Sequence, residues 1–259
     1  LRLMKNKPVI VIALISCLLL FIALILTPVQ KKMPVKKVGA IKGRIAIVID
    51  DWGYHLDNLA IVKEIKVPLT CAVLPGLKNS SSVARELNNL GFEIILHLPM
   101  EPKEKYRLEK NTITLDMNAA QVEDILDLGL GSVIFAKGVN NHMGSAITEN
   151  SNLSMLVISA TKKHKLYFLD SFVTAKSVCR QIAEKIKVRF ARRDVFLDNR
   201  DDPSYIKAQL LKLKNLAAKH GSAIAIGHDR RNTLMALREM LPQLKNEGYK
   251  FVFASELAK

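Results

Sequence analysis

The chain lacks the marks of several large enzyme classes. It has no Gly-x-Ser-x-Gly elbow, no Walker loop and no Gly-x-Gly-x-x-Gly turn. Those absences argue against a serine hydrolase, a P-loop enzyme and a dinucleotide enzyme. Cysteine is scarce as well: Cys17, Cys71 and Cys179 show no Cys-x-x-Cys spacing, so a zinc finger is excluded. Cys71 and Cys179 lie in apolar or helical contexts and read as buried free thiols, with a bridge between them as the alternative. No low-complexity linker divides the chain, and residues 1–44 contain no acidic side chain at all.

Those 44 residues carry nine Lys or Arg, which account for most of the formal charge of +15. The remaining 215 residues hold 30 basic and 24 acidic side chains. The basicity is therefore a property of the N-terminal arm, suited to anionic lipid headgroups, and gives no reason to expect a nucleic-acid partner. Val9 to Leu26 is 18 residues without a charge, about the minimum that spans a hydrocarbon core of roughly 30 Å. The run is too long for the apolar region of a cleaved signal peptide and ends without Ala-x-Ala. The expectation is an uncleaved transmembrane signal anchor over residues 1–30, a basic tether over 31–43 and one domain over 44–259. Membrane lipid would then be a partner through the N-terminal helix. Leu14-Ile15-Ser16-Cys17 resembles a lipobox, but nine more apolar residues follow Cys17, so a membrane-buried thiol fits better. Lys and Arg are more numerous after the run than before it, which alone would hold the domain in the cytoplasm. Long domains cross largely regardless of charge, so orientation stays open at this level.

From Arg44 onward, short apolar runs alternate with helical periods. Strands are expected over 44–49, 69–74, 93–98, 133–139, 167–169, 194–197, 222–226 and 250–254. Helices are expected between them: Asn118 and Gln121 make a capping box, Thr174 caps a helix to about Ile186, and Asp202 caps one that starts at Pro203. Seven or eight β/α units with connections too long for hairpins imply a parallel sheet with outer helices. The expected fold is α/β, an irregular (β/α) barrel of about seven parallel strands, with an open doubly wound sheet as the alternative.

Almost every chemically capable residue follows one of the apolar runs, and in a parallel sheet the carboxyl ends of strands share one rim. Asp50-Asp51 follow Ile45 to Ile49. Neighbouring strand side chains alternate in direction, so the pair suits a division of labour, one acid ligating a cation and the other accepting a proton. His97 opens His97-Leu98-Pro99-Met100-Glu101-Pro102, where a bend stiffened by two prolines would bring Glu101 near His97 as ligand or base. Asn140, Asn141 and His142 lie between glycines, which suits a turn binding substrate hydroxyls or a metal. Asp170, Asp198 and His228 end further strands. His55, His164 and His220 read as solvated, and Glu256 as helix-terminal surface.

The set IVIDDWG, HLPMEP, GVNNHMGS, FLDS and AIGH, spanning about Arg44 to Ala254, resembles the divergent polysaccharide deacetylase family of the chitooligosaccharide deacetylase-like superfamily. The resemblance implies an irregular (β/α) barrel, a divalent metal that is often zinc, and removal of N-acetyl groups from envelope glycans outside the cytoplasm. By position, Asp50 matches the catalytic base, Asp51 the metal-binding acid, His97 the first His of a His-x-x-x-His pair, and His228 the general acid. Glu101 stands where the second metal His is expected, and Asn140-Asn141-His142 replaces an Arg-Pro segment. Either His142 or Glu101 would supply the third ligand, with Glu101 otherwise a catalytic group. Asn140, Asn141, Asp170 and Asp198 would bind substrate, the two acids also serving to orient an imidazole. The same set allows an inactive glycan- or metal-binding barrel, or an envelope scaffold.

Overall fold

A computed structural model describes residues 40–259; the expected transmembrane span and most of the tether lie outside the described residues. Among the described residues, no helix is long and apolar enough to cross a membrane. Residues Ala40–Lys259 form one compact unit.

Among the described residues, nine strands make one sheet: β1 (Gly43–Trp52), β2 (Thr70–Val73), β3 (Glu93–Met100), β4 (Ala136–Met143), β5 (Tyr167–Asp170), β6 (Phe190–Arg192), β7 (Val195–Phe196), β8 (Ser222–His228) and β9 (Tyr249–Phe251). Between them run α1 (Leu59–Val62), α2 (Ser80–Asn89), α3 (Ala119–Ser132), α4 (Ser145–Glu149), α5 (Ser151–Lys163), α6 (Cys179–Ile186), α7 (Pro203–His220) and α8 (Arg231–Asn246). The order is β6-β5-β4-β3-β2-β1-β8-β7, with β9 beside the start of β1, and every pairing is parallel. The sheet is a parallel half-barrel whose outermost strands, β6 and β7, do not pair with each other. Two consecutive residues cross that seam: Arg193 N–H donates to Asp170 O of β5, and Asp194 N–H to Ile224 O of β8.

Strand alternation explains how the core is divided. Ile45, Ile47 and Ile49 of β1 belong to the large cluster packed with the helices, while Ala46 and Val48 join a smaller one with Ile95, Leu169, Ile224 and Ile226. This second set occupies the concave face. Because side chains two apart share a face, each inner column continues to a polar residue at the carboxyl end. Ala46-Val48 leads to Asp50, Ile95 to His97, Leu169 to Ser171, and Ile224-Ile226 to His228. The rim therefore inherits its chemistry from the same period that builds the core.

Four expectations change. Strand β6 interrupts what reads as helix and loop, because only three residues pair there. Helix α6 starts at Cys179 rather than after Thr174, whose hydroxyl instead donates to Glu149. The Asn140-Asn141-His142 segment is extended strand within β4, not a turn, since β3 pairs with it through Met143. Strand β3 likewise runs through Pro99 to Met100, so the expected bend is missing. Cys71 and Cys179 are both free and buried.

Gly138 marks a close approach on the concave side. A Cβ there would stand 2.5 Å from the ring of Tyr167, and that ring is held by a 3.0 Å hydrogen bond from its hydroxyl to Glu93. Gly138→Ala is expected to lower the free energy of unfolding by about 1–3 kcal/mol through overpacking. Urea denaturation checks this, and an unchanged midpoint would show that the ring can yield.

Candidate functional site

The carboxyl rim gathers Asp50, Asp51, His97, His142, Asp198 and His228. Asp50 and His97 belong to the inner columns, and in register Asp50 faces His228 while His97 faces Asn140. Asp51 would point away from this face on a regular strand. Instead its φ is +66°, and the pairing with β2 shifts register between Ile49 and Trp52. Left-handed backbone costs an ordinary residue about 1–2 kcal/mol. The kink brings both neighbouring acids to the same imidazole: His97 Nε2 lies 3.6 Å from Asp50 Oδ2 and 3.2 Å from Asp51 Oδ1. The division of labour expected from alternation is thus created by breaking the alternation.

His142 is two residues beyond Asn140 on β4 and shares its face. Its Nδ1 stands 3.2 Å from Asp51 Oδ1 and 3.2 Å from His97 Nε2. The three ligand atoms form a triangle of equal sides. Donors on a tetrahedral zinc ion at about 2.0–2.1 Å would stand roughly 3.3 Å apart. Asp51 Oδ1, though buried, has no hydrogen-bond partner among the described residues, and an unsatisfied buried carboxylate oxygen is costly without a cation. These residues fit a small divalent cation.

Asn140 sets up this triangle from behind. It is fully buried, its Oδ1 takes the proton of His97 Nδ1 at 2.9 Å, and its Nδ2 donates to Asp50 Oδ1 at 2.9 Å and to Ser171 Oγ at 3.3 Å. With Nδ1 protonated, His97 presents a lone pair at Nε2, the outer-sphere arrangement of many metal-bound imidazoles. Across the rim, Asp198 accepts from His228 Nδ1 at 2.8 Å, from His228 N at 2.8 Å and from Thr233 Oγ1 at 2.7 Å. The imidazole of His228 also stacks on Phe196, centroids 5.5 Å apart.

Burial and charge pull these groups in different directions. Burial raises the Asp50 carboxyl above the usual range, against the opposing pull of His97 and His228. Burial would raise Asp51 too, but the facing imidazoles of His142 and His97 outweigh it and hold the group ionised well below that range. For His97, burial disfavours the charge, yet Asp50 and Asp51 prevail and lift the imidazole to about 8. His228 is likewise raised, with Asp198 overcoming its burial, and Asp198 is correspondingly lowered.

Several residues expected to ligate the metal or bind substrate are placed otherwise. Glu101 accepts from Leu115 N–H at 2.8 Å. Four residues of extended strand carry it about 13 Å beyond His97, and its backbone is tied to Ile113 and Ala146. His142 completes the triangle instead. Asn140, Asn141, Asp170 and Asp198 do not face solvent as substrate binders would. Asn141 points to the opposite side of β4, bonding Met143 O and Ser171 N–H. Asp170 is occupied by Phe172 N–H and the Ser177 hydroxyl. Two contributors escape a reading of the sequence. Arg193 ties the end of β5 to the rim by donating to Ser171 O and Phe172 O while covering Phe196. Asp229, next to His228, accepts from Asn58 at 2.8 Å and is pushed up to about 6 by burial. An acid following a strand-end histidine was the available signal for Asp229; Arg193 has none in the local sequence.

Replacing Asn140 by Leu would leave His97 Nδ1 and Asp50 Oδ1 without partners in a dry site. The expected loss of stability is about 2–6 kcal/mol, from two stranded polar groups at roughly 1–3 kcal/mol each. Denaturant unfolding measures it, and a loss under about 1 kcal/mol would mean that neither group depends on the amide.

Comparison with known proteins gives the chain a family. An uncharacterized Escherichia coli protein, YibQ, is 37% identical over 202 residues, covering 78% of this chain and 63% of the relative's own length. The chain thus spans less than two thirds of that relative. An uncharacterized protein of Agrobacterium tumefaciens has a crystal structure that superposes with a TM-score of 0.79 at 23% identity, covering 85% of this chain and 91% of the other. A family 4 carbohydrate esterase from Streptomyces lividans, solved in complex with acetate, shares the fold at a TM-score of 0.55 and 13% identity, covering 85% and 97% of the two chains. The model of the divergent polysaccharide deacetylase family matches residues 47–258, and this chain belongs to that family.

Proposed function

We propose that this protein is a metal-dependent hydrolase that removes N-acetyl groups from envelope glycans, held to a membrane by residues 1–30 with its domain outside the cytoplasm. The observation that carries the reading is the triangle of Asp51, His97 and His142 beside Asp50, with the His228–Asp198 pair on the same rim. Family membership supports an acetylated sugar as substrate, and the solved esterase of the same fold holds acetate. The apolar run and its basic flanks support the anchor.

Asp51, His97 and His142 would hold the cation, with zinc the first candidate. The bound cation supplies acidification of water and stabilisation of negative charge on the acetyl oxygen. Asp50 is the base. Its Oδ1 is pinned by Asn140, and burial raises its affinity for a proton above that of an ordinary carboxylate, which suits it to take one from water. Water adds to the acetyl carbon, the carbon–nitrogen bond breaks, and acetate and a free amine leave. His228 gives the amine its proton. Asp198 holds Nδ1–H of that ring, so the opposite nitrogen is the one available for transfer, and the buried carboxylate keeps the ring protonated to higher pH.

Separate losses of metal and turnover test the roles. Asp51→Ala should lose both the metal and acetate release. Asp50→Asn should keep the metal while turnover falls by about 10²–10⁴. Glu101→Gln should change neither, because its carboxylate serves the backbone of Leu115. Elemental analysis and an acetate-release assay on N-acetylated glycans read these outcomes. Full activity in both Asp variants would overturn the assignment, and glycan binding without acetate release would establish the inactive reading instead.

Acidity should weaken the metal site. Metal needs the neutral imidazole, and His97 is lifted to about 8 in the metal-free site. Below that pH a proton competes for Nε2, so zinc affinity should fall about tenfold per unit. Titration calorimetry between pH 6 and 9 would show this slope, and a flat profile would exclude His97 as a ligand.

A further inference from the structure

The rim opposite the candidate site carries a different chemistry. Lys42 precedes β1, Lys137 lies at the start of β4, Lys165 precedes β5, Lys187 and Arg189 precede β6, and Lys250 lies in β9. All six are exposed, and none is ion-paired with a carboxylate among the described residues. Lysines in the last turns of α5, α6, α7 and α8 add to this rim. Those at helix ends answer the helix dipole, as do Lys187, which caps α6, and Lys165, which follows the cap of α5; Lys42, Lys137, Arg189 and Lys250 have no such explanation. Of the acids here, Glu64, Glu184 and Glu247 are each paired with a basic side chain, and Glu93, at the start of β3, is buried and accepts from the Thr70 and Tyr167 hydroxyls.

Apolar side chains stand among these cations. Ile41 is 58% exposed, Ile134 56% and Leu90 37%, and all three border the amino ends of strands. A cavity of about 520 Å³ opens on the same rim, where Lys137, Lys165 and Arg189 surround Phe92, Phe135 and Phe253. Exposed aliphatic groups interleaved with lysine are the composition of a surface that settles at a lipid interface. The chain also enters this rim at Lys42, directly after a stretch containing Lys31, Lys32, Lys36 and Lys37 and the uncharged run from Val9 to Leu26.

We propose that the amino-end rim of the half-barrel is a docking surface for an anionic phospholipid bilayer. Lysine and arginine meet the headgroup phosphates, and Ile41, Leu90 and Ile134 enter the interfacial layer. Docked in this way, the barrel stands on the membrane with its catalytic mouth on the far side. The ten residues of β1 separate the two rims by about 33 Å, so the site would reach outward rather than towards the lipid headgroups. This inference does not depend on the proposed hydrolysis and concerns a different face of the molecule.

The test uses residues 40–259, which contain the entire described core and lack the apolar run, so binding reports on the folded unit. Co-sedimentation is measured with vesicles of phosphatidylcholine, with and without phosphatidylglycerol. The fragment should bind only the anionic vesicles and be released by about 0.5 M salt. Reversal of four exposed lysines (Lys137→Glu, Lys165→Glu, Lys187→Glu and Lys250→Glu) should weaken binding on the order of a hundredfold or more. Reversal of Lys105, Lys110 and Lys176, away from this rim, should leave it within about twofold. Far-UV spectra confirm that each variant is folded; if the fourfold variant is not, Ile134→Asp with Lys137→Glu provides the same comparison. Absence of binding to anionic vesicles, or equal loss in both sets, would overturn the proposal. Binding to a soluble polyanion such as heparin without vesicle binding would also overturn it, by making the rim a site for acidic polymer.

Discussion

One buried amide holds the rim together. Asn140 sits between His97 and Asp50 with no exposure to water, accepting from the first and donating to the second. An amide is suited to this position because it carries an acceptor and a donor on one planar group. Its oxygen selects the tautomer of His97, and its nitrogen fixes the rotation of Asp50. Since the register of β3 and β4 places His97 opposite Asn140, the arrangement follows from strand pairing and needs no loop to hold it.

The second constraint is the backbone of Asp51. A regular strand would send Asp50 and Asp51 to opposite faces. The left-handed residue and the register shift against β2 bring both towards His97 while leaving them unequal. Asp50 is buried, so its proton affinity rises even though the amide that pins it and the nearby imidazoles pull the other way. Asp51 faces two imidazoles, so it stays ionised. Two chemically identical side chains, adjacent in sequence, thereby acquire opposite protonation preferences. The strain is of the sort that functional sites retain when the surrounding structure over-determines it.

The same parallel arrangement gives the molecule two unlike ends. Carboxyl ends of strands carry the acids and histidines of the mouth, and amino ends carry exposed lysines among aliphatic side chains. The core between them is built on both faces of the sheet, with the large isoleucines of β1 under the helices and the smaller residues inside. Each end can thus evolve its own chemistry without disturbing the packing of the other.

Much of this was legible in the chain itself. Alternating apolar runs and helical periods specify a parallel α/β sheet, because hydrophobic periodicity is a local property. Polar residues at the ends of those runs mark the rim, since inner columns end where apolar residues stop. The resemblance of IVIDDWG, HLPMEP and AIGH to a deacetylase family also resides in short contiguous segments. Other features depend on pairing between distant strands. Whether His142 or Glu101 joins His97 was decided by β3 running straight through Pro99, which carries Glu101 past the site. Asn140, Asn141, Asp170 and Asp198 resemble solvent-facing ligands in sequence, and only their packing shows each one occupied by internal hydrogen bonds. The chain by itself determined which residue types reach the rim. Tertiary structure decided which of them share a point in space, because register, a left-handed kink and burial arise from contacts that no local window contains.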